Sequence, residues 1–177
     1  VKCKCCGKDA VAIYRDEALC LDCLSVKAGS RKTVVLVGGF FNVLHRGHVR
    51  HFEDARKLGD CLIVHVHRSE CALKHKGYSV LDDEDKVEVL KAIRWVDEVW
   101  LCSQNCDGTV IEALYKLREK FPNEKLVLAK GGDRTPETMP KKEIETCKKL
   151  GIQIVYGVGG EKVQSASWIA NKLKAQQ

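Results

Sequence analysis

The stretch "TVVLVGGFFNVLHRGH", residues 33–48, starts as an apolar run rich in β-branched side chains, continues through two glycines and ends in His45-x2-His48. An apolar run of this length that ends in glycine is typical of a strand buried on both faces of a sheet. We predict a strand, a loop and then a helix from Arg46 to Leu58. His45 and His48 lie about one helical turn apart, so both imidazoles face the same side.

Similar apolar runs recur along the chain and alternate with stretches of helical character. The runs are "CLIVHV" (61–66), "EVWL" (98–101), "KLVLA" (125–129) and "IQIVY" (152–156). Apolar residues at helical spacing lie between them, at Val110, Leu114, Leu117 and Phe121 and at Val87, Leu90 and Ile93. This alternation predicts an α/β fold, a Rossmann-like sheet of five parallel strands with helices on both faces.

The loop after the first strand is the candidate ligand site. In open α/β sheets a ligand binds at the carboxyl ends of the strands, and the first strand-to-helix loop usually contributes. Gly38 and Gly39 allow the backbone to approach a phosphate closely, and the N-terminus of the following helix favours an anion. His45 and His48 face that position, so the stretch predicts a phosphate-binding site.

The cysteines predict a second, smaller unit. Five of the ten lie in the first 23 residues, where Cys3-x2-Cys6 and Cys20-x2-Cys23 are separated by thirteen residues. This spacing allows four thiolates to bind one structural Zn2+. Cys5 could ligate in principle, but only the pairing of Cys3 with Cys6 gives a two-residue gap on both sides. We expect a zinc ribbon in residues 1–30 and a main domain in residues 31–177.

The function of such a ribbon stays open between two alternatives. It could be a structural or dimerisation element, or it could bind RNA or a partner protein. Few aromatic side chains are available to stack on bases, which favours the first alternative.

Composition narrows the class of protein. A chain of 177 residues suits one domain with a small appendage, and a net charge of +6 with interspersed acidic residues favours nucleotides over long nucleic acids. No run approaches the ~18 apolar residues of a membrane span, and the start lacks a secretory pattern. We expect a cytoplasmic protein with no membrane partner, and a homodimer is compatible with the sequence.

Four motifs carry a family resemblance. "GGFFNVLHRGHVRHFEDARKLGDCLIV" (38–64) resembles the G-x-F-D-x-x-H-x-G-H signature of the cytidylyltransferase-like nucleotidyltransferases and the segment that follows it. "IRWVDEVW" (93–100) is similar to R-x-V-D-E-V, "KGGDRT" (130–135) to the K-G-G-D of heptose-phosphate nucleotidyltransferase domains, and "VQSASWI" (163–169) to a late I-S-[ST]-T-x-I. The resemblance covers residues 33–175, and glycerol-phosphate cytidylyltransferases share its motifs.

The resemblance implies an enzyme that transfers CMP or AMP from CTP or ATP to a small phosphorylated acceptor. An oxygen of the acceptor phosphate would attack the α-phosphorus, and pyrophosphate would leave. Mg2+ would be held largely by the nucleotide, because it usually keeps several waters. The alternative is an RNA- or partner-binding zinc-ribbon protein whose main domain binds a nucleotide without small-molecule transfer.

The resemblance also assigns roles to individual residues. Two histidines and a lysine carry catalysis: His45, His48 and Lys76. The nucleotide-binding positions are Gly39, Phe40, Phe41, Asn42, Gly47, Gly131, Gly132, Asp133, Ser165 and Ser167. Possible contacts to acceptor or phosphate are Lys74, Arg94, Arg134, Lys162 and His67. Lys74 and Lys76 lie in "LKHKG", expected as a loop after the second strand, and Arg94 could equally be a solvated cation beside Asp97.

Two positions depart from the family pattern. Asn42 stands where many members have Asp, and an amide cannot accept a proton as a carboxylate does. Ala170 stands where the late motif usually ends in Arg or Lys, and Lys162 is the candidate replacement.

Overall fold

The computed structural model of the protein describes residues 1–2, 4, 6–10, 12–14, 17–20, 32–132, 134–161, 164–166, 168–169 and 172. The chain divides into two compact units, residues 1–31 and residues 32–177. In the part that is described, no helix has the length and apolar character needed to cross a membrane.

The larger unit is built on five parallel strands. They are β3 (Thr33–Gly39), β4 (Cys61–Val66), β5 (Glu98–Leu101), β6 (Lys125–Gly131) and β7 (Gln153–Val158). The strand order is β5-β4-β3-β6-β7, and every neighbouring pair is parallel. The chain therefore adds β4 and β5 on one side of β3 and then crosses to add β6 and β7 on the other side. The predicted fold class is confirmed, and the reversal of strand order falls between β3 and β6, where such sheets bind ligands.

Helices cover both faces of this sheet. They are α1 (Arg46–Lys57), α2 (Ser69–Lys76), α3 (Asp83–Lys91), α4 (Ile111–Lys120) and α5 (Lys141–Leu150). After β7, residues 166, 168–169 and 172 are helical.

The core consists of two apolar layers, because successive side chains of a strand point to opposite faces. Val34 and Leu36 of β3 pack in the layer that contains Leu114 and Leu117 of α4. Val35 and Val37 pack in the layer that contains Phe52 of α1 and Leu90 of α3. The central strands β3, β4 and β6 are largely buried on both sides, which explains why their sequences read as apolar runs.

The smaller unit contains a short antiparallel hairpin. Its strands are β1 (Ala12–Tyr14) and β2 (Glu17–Leu19), with Ala12 opposite Leu19. The Cys6 Sγ lies 3.6 Å from the Cys20 Sγ, which joins one member of each predicted cysteine pair. Cys3, Cys5 and Cys23 lie outside the described residues, so the zinc ribbon stays a prediction.

Candidate active site

A cleft of about 230 Å³ opens at the carboxyl ends of the strands. Three groups of residues line it. The first belongs to α1 and its N-cap and consists of His45, Gly47, His48 and His51. The second, at the end of β6, is Gly131 and Gly132, and the third, at the end of β7 and in the segment after it, is residues 158–161 and 164–166. The cleft thus lies at the reversal of strand order, where the sequence places the candidate phosphate site.

The two signature histidines stack on one another at the start of α1. His45 occupies the N-cap position, and its ring lies 3.8 Å from that of His48, centroid to centroid. The first turn of α1 contains no acidic residue, so the positive end of the helix dipole is not neutralised by its own side chains. This arrangement suits an anion bound over the helix N-terminus.

His48 is held as a neutral imidazole. Burial, together with the nearby His45 and His51, lowers its pKa to about 3. The Nδ1 atom of His48 is buried and makes no hydrogen bond to any residue that the structure describes. At neutral pH the ring therefore contributes hydrogen bonding rather than fixed charge.

Phe41 supports His48 from below. It has a backbone φ of 46°, which is the left-handed region that residues other than glycine rarely adopt. Its buried ring contacts His48 edge-on at 5.1 Å and packs against Phe52 at 5.3 Å. A strained backbone of this kind persists only where the surrounding packing holds it, and such residues often occur at functional sites.

Packing explains Gly38 and Gly39, the last two residues of β3. A Cβ on Gly38 would collide with the Val110 side chain, and a Cβ on Gly39 would lie 2.8 Å from the Phe41 ring. Neither glycine is among the described residues that line the cleft. These glycines allow the backbone to approach the side chains of Val110 and Phe41 closely.

His51 is a cleft residue that the sequence analysis missed. A hydrogen bond of 2.8 Å joins its Nδ1 to the Val158 carbonyl oxygen, so Nδ1 carries the proton. Burial lowers the pKa of His51, with a smaller contribution from Lys130. The three-residue spacing of His45, His48 and His51 was the available signal, because it places all three on one face of the helix.

The loop after β7 touches α1 closely at this point. Gly159 has a φ of +90°, and a Cβ there would lie 2.8 Å from the Cα of His51. The same loop leads to Ser165, whose Oγ accepts a hydrogen bond of 3.2 Å from the Trp168 backbone N–H and so caps the last helical segment. Lys162, Ser167 and Asp133 lie outside the described residues.

The end of β6 is fixed by a buried ion pair. The Lys130 Nζ lies 2.7 Å from the Glu143 Oε2 of α5, and both side chains are largely buried. Glu143 also accepts a hydrogen bond of 3.1 Å from the Val110 N–H at the start of α4. The two glycines that line the cleft follow directly after Lys130, so this pair positions the floor of the cleft.

A separate aromatic and basic group lies at the ends of β3 and β4. The Phe40 ring is 4.6 Å from the ring of the buried His67 and 6.1 Å from that of His75. The Lys76 Nζ lies 5.3 Å from the centre of the Phe40 ring. Lys74 and Lys76 belong to the last turn of α2, which corrects the expectation of a loop.

The remaining predicted cations lie outside the described lining of the cleft. Arg134 donates to the Thr138 carbonyl oxygen of its own loop at 3.1 Å. Arg94 precedes β5 and stacks on Trp95 at 4.4 Å. Asp97, three residues further on, accepts a hydrogen bond from the N–H of Leu62 at the start of β4. Arg94 therefore lies at the amino edge of the sheet, opposite the cleft.

The side chain of Asn42 holds two loops together. It is buried, its Nδ2 donates to the Tyr78 carbonyl oxygen at 3.0 Å, and its Oδ1 accepts from the Ser79 Oγ at 3.3 Å. An aspartate could accept from Ser79 but could not donate to the carbonyl. The departure from the family pattern thus has a structural reason.

Replacing Asn42 with aspartate is expected to lower the free energy of unfolding by about 1–3 kcal/mol, because it leaves the Tyr78 carbonyl facing a buried carboxylate. Chemical denaturation at pH 7 measures this loss. Asn105, which is exposed, provides the matched Asn→Asp control. Equal stability of the two variants would contradict the assigned role of the amide.

Comparison with known proteins identifies similar chains. The sequence model of the cytidylyltransferase-like family matches residues 36–168. The FAD synthase of Pyrococcus abyssi is 48% identical over 128 residues, which cover 72% of this chain and 80% of that protein. The bifunctional protein HldE of Syntrophotalea carbinolica is 33% identical over 141 residues, which cover 78% of this chain but only 27% of that protein.

A solved structure shows the same fold. The lipopolysaccharide core biosynthesis protein from Thermoplasma volcanium superposes with a TM-score of 0.54 at 22% sequence identity, covering 71% of this chain and 94% of that one.

Proposed function

The chain belongs to the cytidylyltransferase-like family of nucleotidyltransferases, and we propose that it transfers AMP from ATP to FMN, forming FAD and pyrophosphate. The observation that carries the proposal is the 48% identity with an FAD synthase over 80% of that protein's length. FAD is the adenylyl derivative of FMN, so a nucleotidyltransferase makes it by joining these two substrates.

The chemistry needs no protein nucleophile. An oxygen of the FMN phosphate attacks the α-phosphorus of ATP, a P–O bond forms there, and the bond to the β-phosphate breaks as pyrophosphate leaves. Such a reaction is accelerated by in-line positioning and by stabilisation of charge on the phosphates. The N-terminus of α1, His45 and His48 supply hydrogen bonds and a positive dipole for this purpose.

The two sides of the site suit different substrates. We assign the triphosphate to the cleft at His45 and His48 and the adenosine to the end of β6 and the segment after β7, with Gly131, Gly132 and Ser165. The acceptor is assigned to Phe40, His75 and Lys76, because an aromatic ring beside a cation suits a planar ring system that carries a phosphate. Lys76 is the proposed contact to the acceptor phosphate.

Mg2+ fits this site as an ion carried by the nucleotide. Glu161 is the only carboxylate among the cleft residues that the structure describes, and Mg2+ needs few protein ligands when phosphates are present. When bound, the ion would neutralise charge on the β- and γ-phosphates. The protein's own part is to orient the α-phosphate beneath the helix N-terminus.

The amino-terminal unit is proposed to be a zinc ribbon held by Cys3, Cys6, Cys20 and Cys23. The short distance between the thiols of Cys6 and Cys20 supports it, because thiolates from both pairs must meet at one tetrahedral ion. Its role in this proposal is structural.

The proposed reaction is tested by incubating the full chain with FMN, Mg2+ and either ATP or CTP, and separating flavin products by chromatography with mass detection. FAD is expected from ATP. Riboflavin is the matched control acceptor, because it lacks the attacking phosphate and should give no product. A cytidine-containing flavin product would correct the base. No flavin dinucleotide from either nucleotide, together with CTP-dependent consumption of another phosphate acceptor, would refute FMN as the substrate.

A further inference from the structure

Soft metal-ligand atoms meet beside the acceptor side of the site. His67 follows β4, Cys102 follows β5, and Cys106 lies in the loop before α4. The His67 Nδ1 and the two Sγ atoms all lie within 4.8 Å of one another. His67 and Cys102 are buried and Cys106 is half-buried, so these donors face one another inside the protein.

Cys106 is the centre of this group. Its Sγ lies 3.0 Å from the His67 Nδ1 and 2.8 Å from the Sγ of Cys71, which is buried in the first turn of α2. The Cys102 Sγ lies within 4.8 Å of the Cys106 Sγ. Three donors therefore converge, and Cys71 lies beside one of them. The four residues form two pairs with the same spacing, His67-x3-Cys71 and Cys102-x3-Cys106.

Hydrogen bonds from Arg68 hold Cys102 in place. The Arg68 backbone N–H donates to the Cys102 Sγ at 3.2 Å, and the Arg68 Nε donates to the Cys102 carbonyl oxygen at 2.9 Å. Burial raises the pKa of the Cys102 thiol to about 12, so these hydrogen bonds orient the residue and the metal itself must displace the thiol proton. Cys61 and Cys147 are also buried, but within the apolar core layer.

We propose that His67, Cys102 and Cys106 bind one Zn2+, with Cys71 as the fourth ligand. Zinc–sulfur and zinc–nitrogen bonds of about 2.0–2.3 Å place tetrahedral ligand atoms about 3.5–4 Å apart. The three converging donors lie within 4.8 Å of one another, and the Sγ atoms of Cys71 and Cys106, 2.8 Å apart, would have to separate to bind the same ion. Imidazole and thiolate ligands select zinc over Mg2+. Binding releases the protons of the coordinating thiols to solvent.

This zinc would join three parts of the fold. It links the end of β4, the start of α2 and the loop between β5 and α4. His67 is in contact with Phe40, so the metal fixes the wall assigned above to the acceptor. The site is structural, and it does not depend on which nucleotide or acceptor the enzyme uses.

The experiment must separate this zinc from that of the predicted ribbon. In the full chain carrying Cys6→Ser and Cys20→Ser, purified under reducing conditions with zinc, we expect one zinc per chain by elemental mass spectrometry. Adding Cys106→Ser should remove it. Cys147→Ser, a buried cysteine outside the group, is the matched control and should leave one zinc in place.

The ligands are identified by replacing zinc with Co2+ in the Cys6→Ser/Cys20→Ser chain. We expect thiolate-to-cobalt absorption and the visible bands of a tetrahedral ion. Both signals are measured with the proposed ligands intact. Zero metal in this chain, with a native circular dichroism spectrum, would overturn the proposal, whether or not peptide mapping finds a Cys71–Cys106 disulfide. Metal that survives Cys106→Ser in folded protein would also overturn it.

Discussion

Replacement of His48 with alanine is expected to lower kcat/KM for pyrophosphate release by about 100-fold or more and to leave the chain folded. The loss of one preorganised donor to a developing charge typically costs this much. His48 lines the cleft, its Nδ1 is buried without a hydrogen-bond partner among the described residues, and its ring stacks on that of His45. The imidazole is thus positioned for a ligand.

The fold is expected to survive because little of the core depends on the imidazole. The His48 ring covers Phe41, but the contact between Phe41 and Phe52 remains in the alanine variant. Arg50→Ala is the matched control, since Arg50 is exposed on the same helix and should keep full activity. Pyrophosphate release, circular dichroism and nucleotide titration give the three readouts. Unchanged turnover in the His48 variant would exclude the proposed catalytic role.

The strands and most helices could be predicted because their signals are local. Buried parallel strands are largely apolar along their length, and Val110, Leu114 and Leu117 repeat at the helical period. The segment of Lys74 and Lys76 was harder, because an eight-residue helix gives little periodicity. Its apolar face is small, and a polar stretch of this length reads as a loop.

In the candidate site, too, the local features could be predicted and the long-range contacts could not. The stretch from Gly38 to His48 contains the loop, the helix start and both histidines, so its place at the strand ends could be predicted. The contact of Gly159 with His51 joins residues more than a hundred positions apart, and no local pattern encodes it. Arg94 belongs to a family motif, but it precedes β5 and therefore lies at the amino ends of the strands, away from the cleft.

The cysteines show the limit most clearly. Spacing alone predicts a metal site for Cys3, Cys6, Cys20 and Cys23, whereas Cys71, Cys102 and Cys106 look scattered in the sequence. They meet only because β4 and β5 are parallel neighbours whose carboxyl ends lie together. Prediction of such a group requires the strand order, which the sequence does not state.

Breaking the ion pair between Lys130 and Glu143 is expected to lower the free energy of unfolding by about 3 kcal/mol, because removal of one partner leaves a buried charge uncompensated. In the variant Glu143→Gln, the amide oxygen can still accept from the Val110 N–H, but the Lys130 ammonium loses its partner. Glu143→Ala removes both contacts and leaves a cavity, so its extra loss is an upper bound on the bond to Val110. The matched control is Glu145→Gln, an exposed position on the same helix.

The double variant Lys130→Met/Glu143→Gln separates the charge from the packing, because the amide oxygen still accepts from the Val110 N–H. Uncharged replacements of similar size often restore the stability of a buried pair, so we expect most of the loss to be recovered. Nucleotide binding should not recover equally, because Lys130 precedes the two cleft glycines and its charge helps lower the pKa of His51. Denaturation and nucleotide titration of the double variant, the two Glu143 variants and the Glu145 control compare the recovery of stability with the recovery of binding. If stability and binding recover together, the pair acts on the cleft only through the fold; if binding stays weak, the charge itself is part of the site.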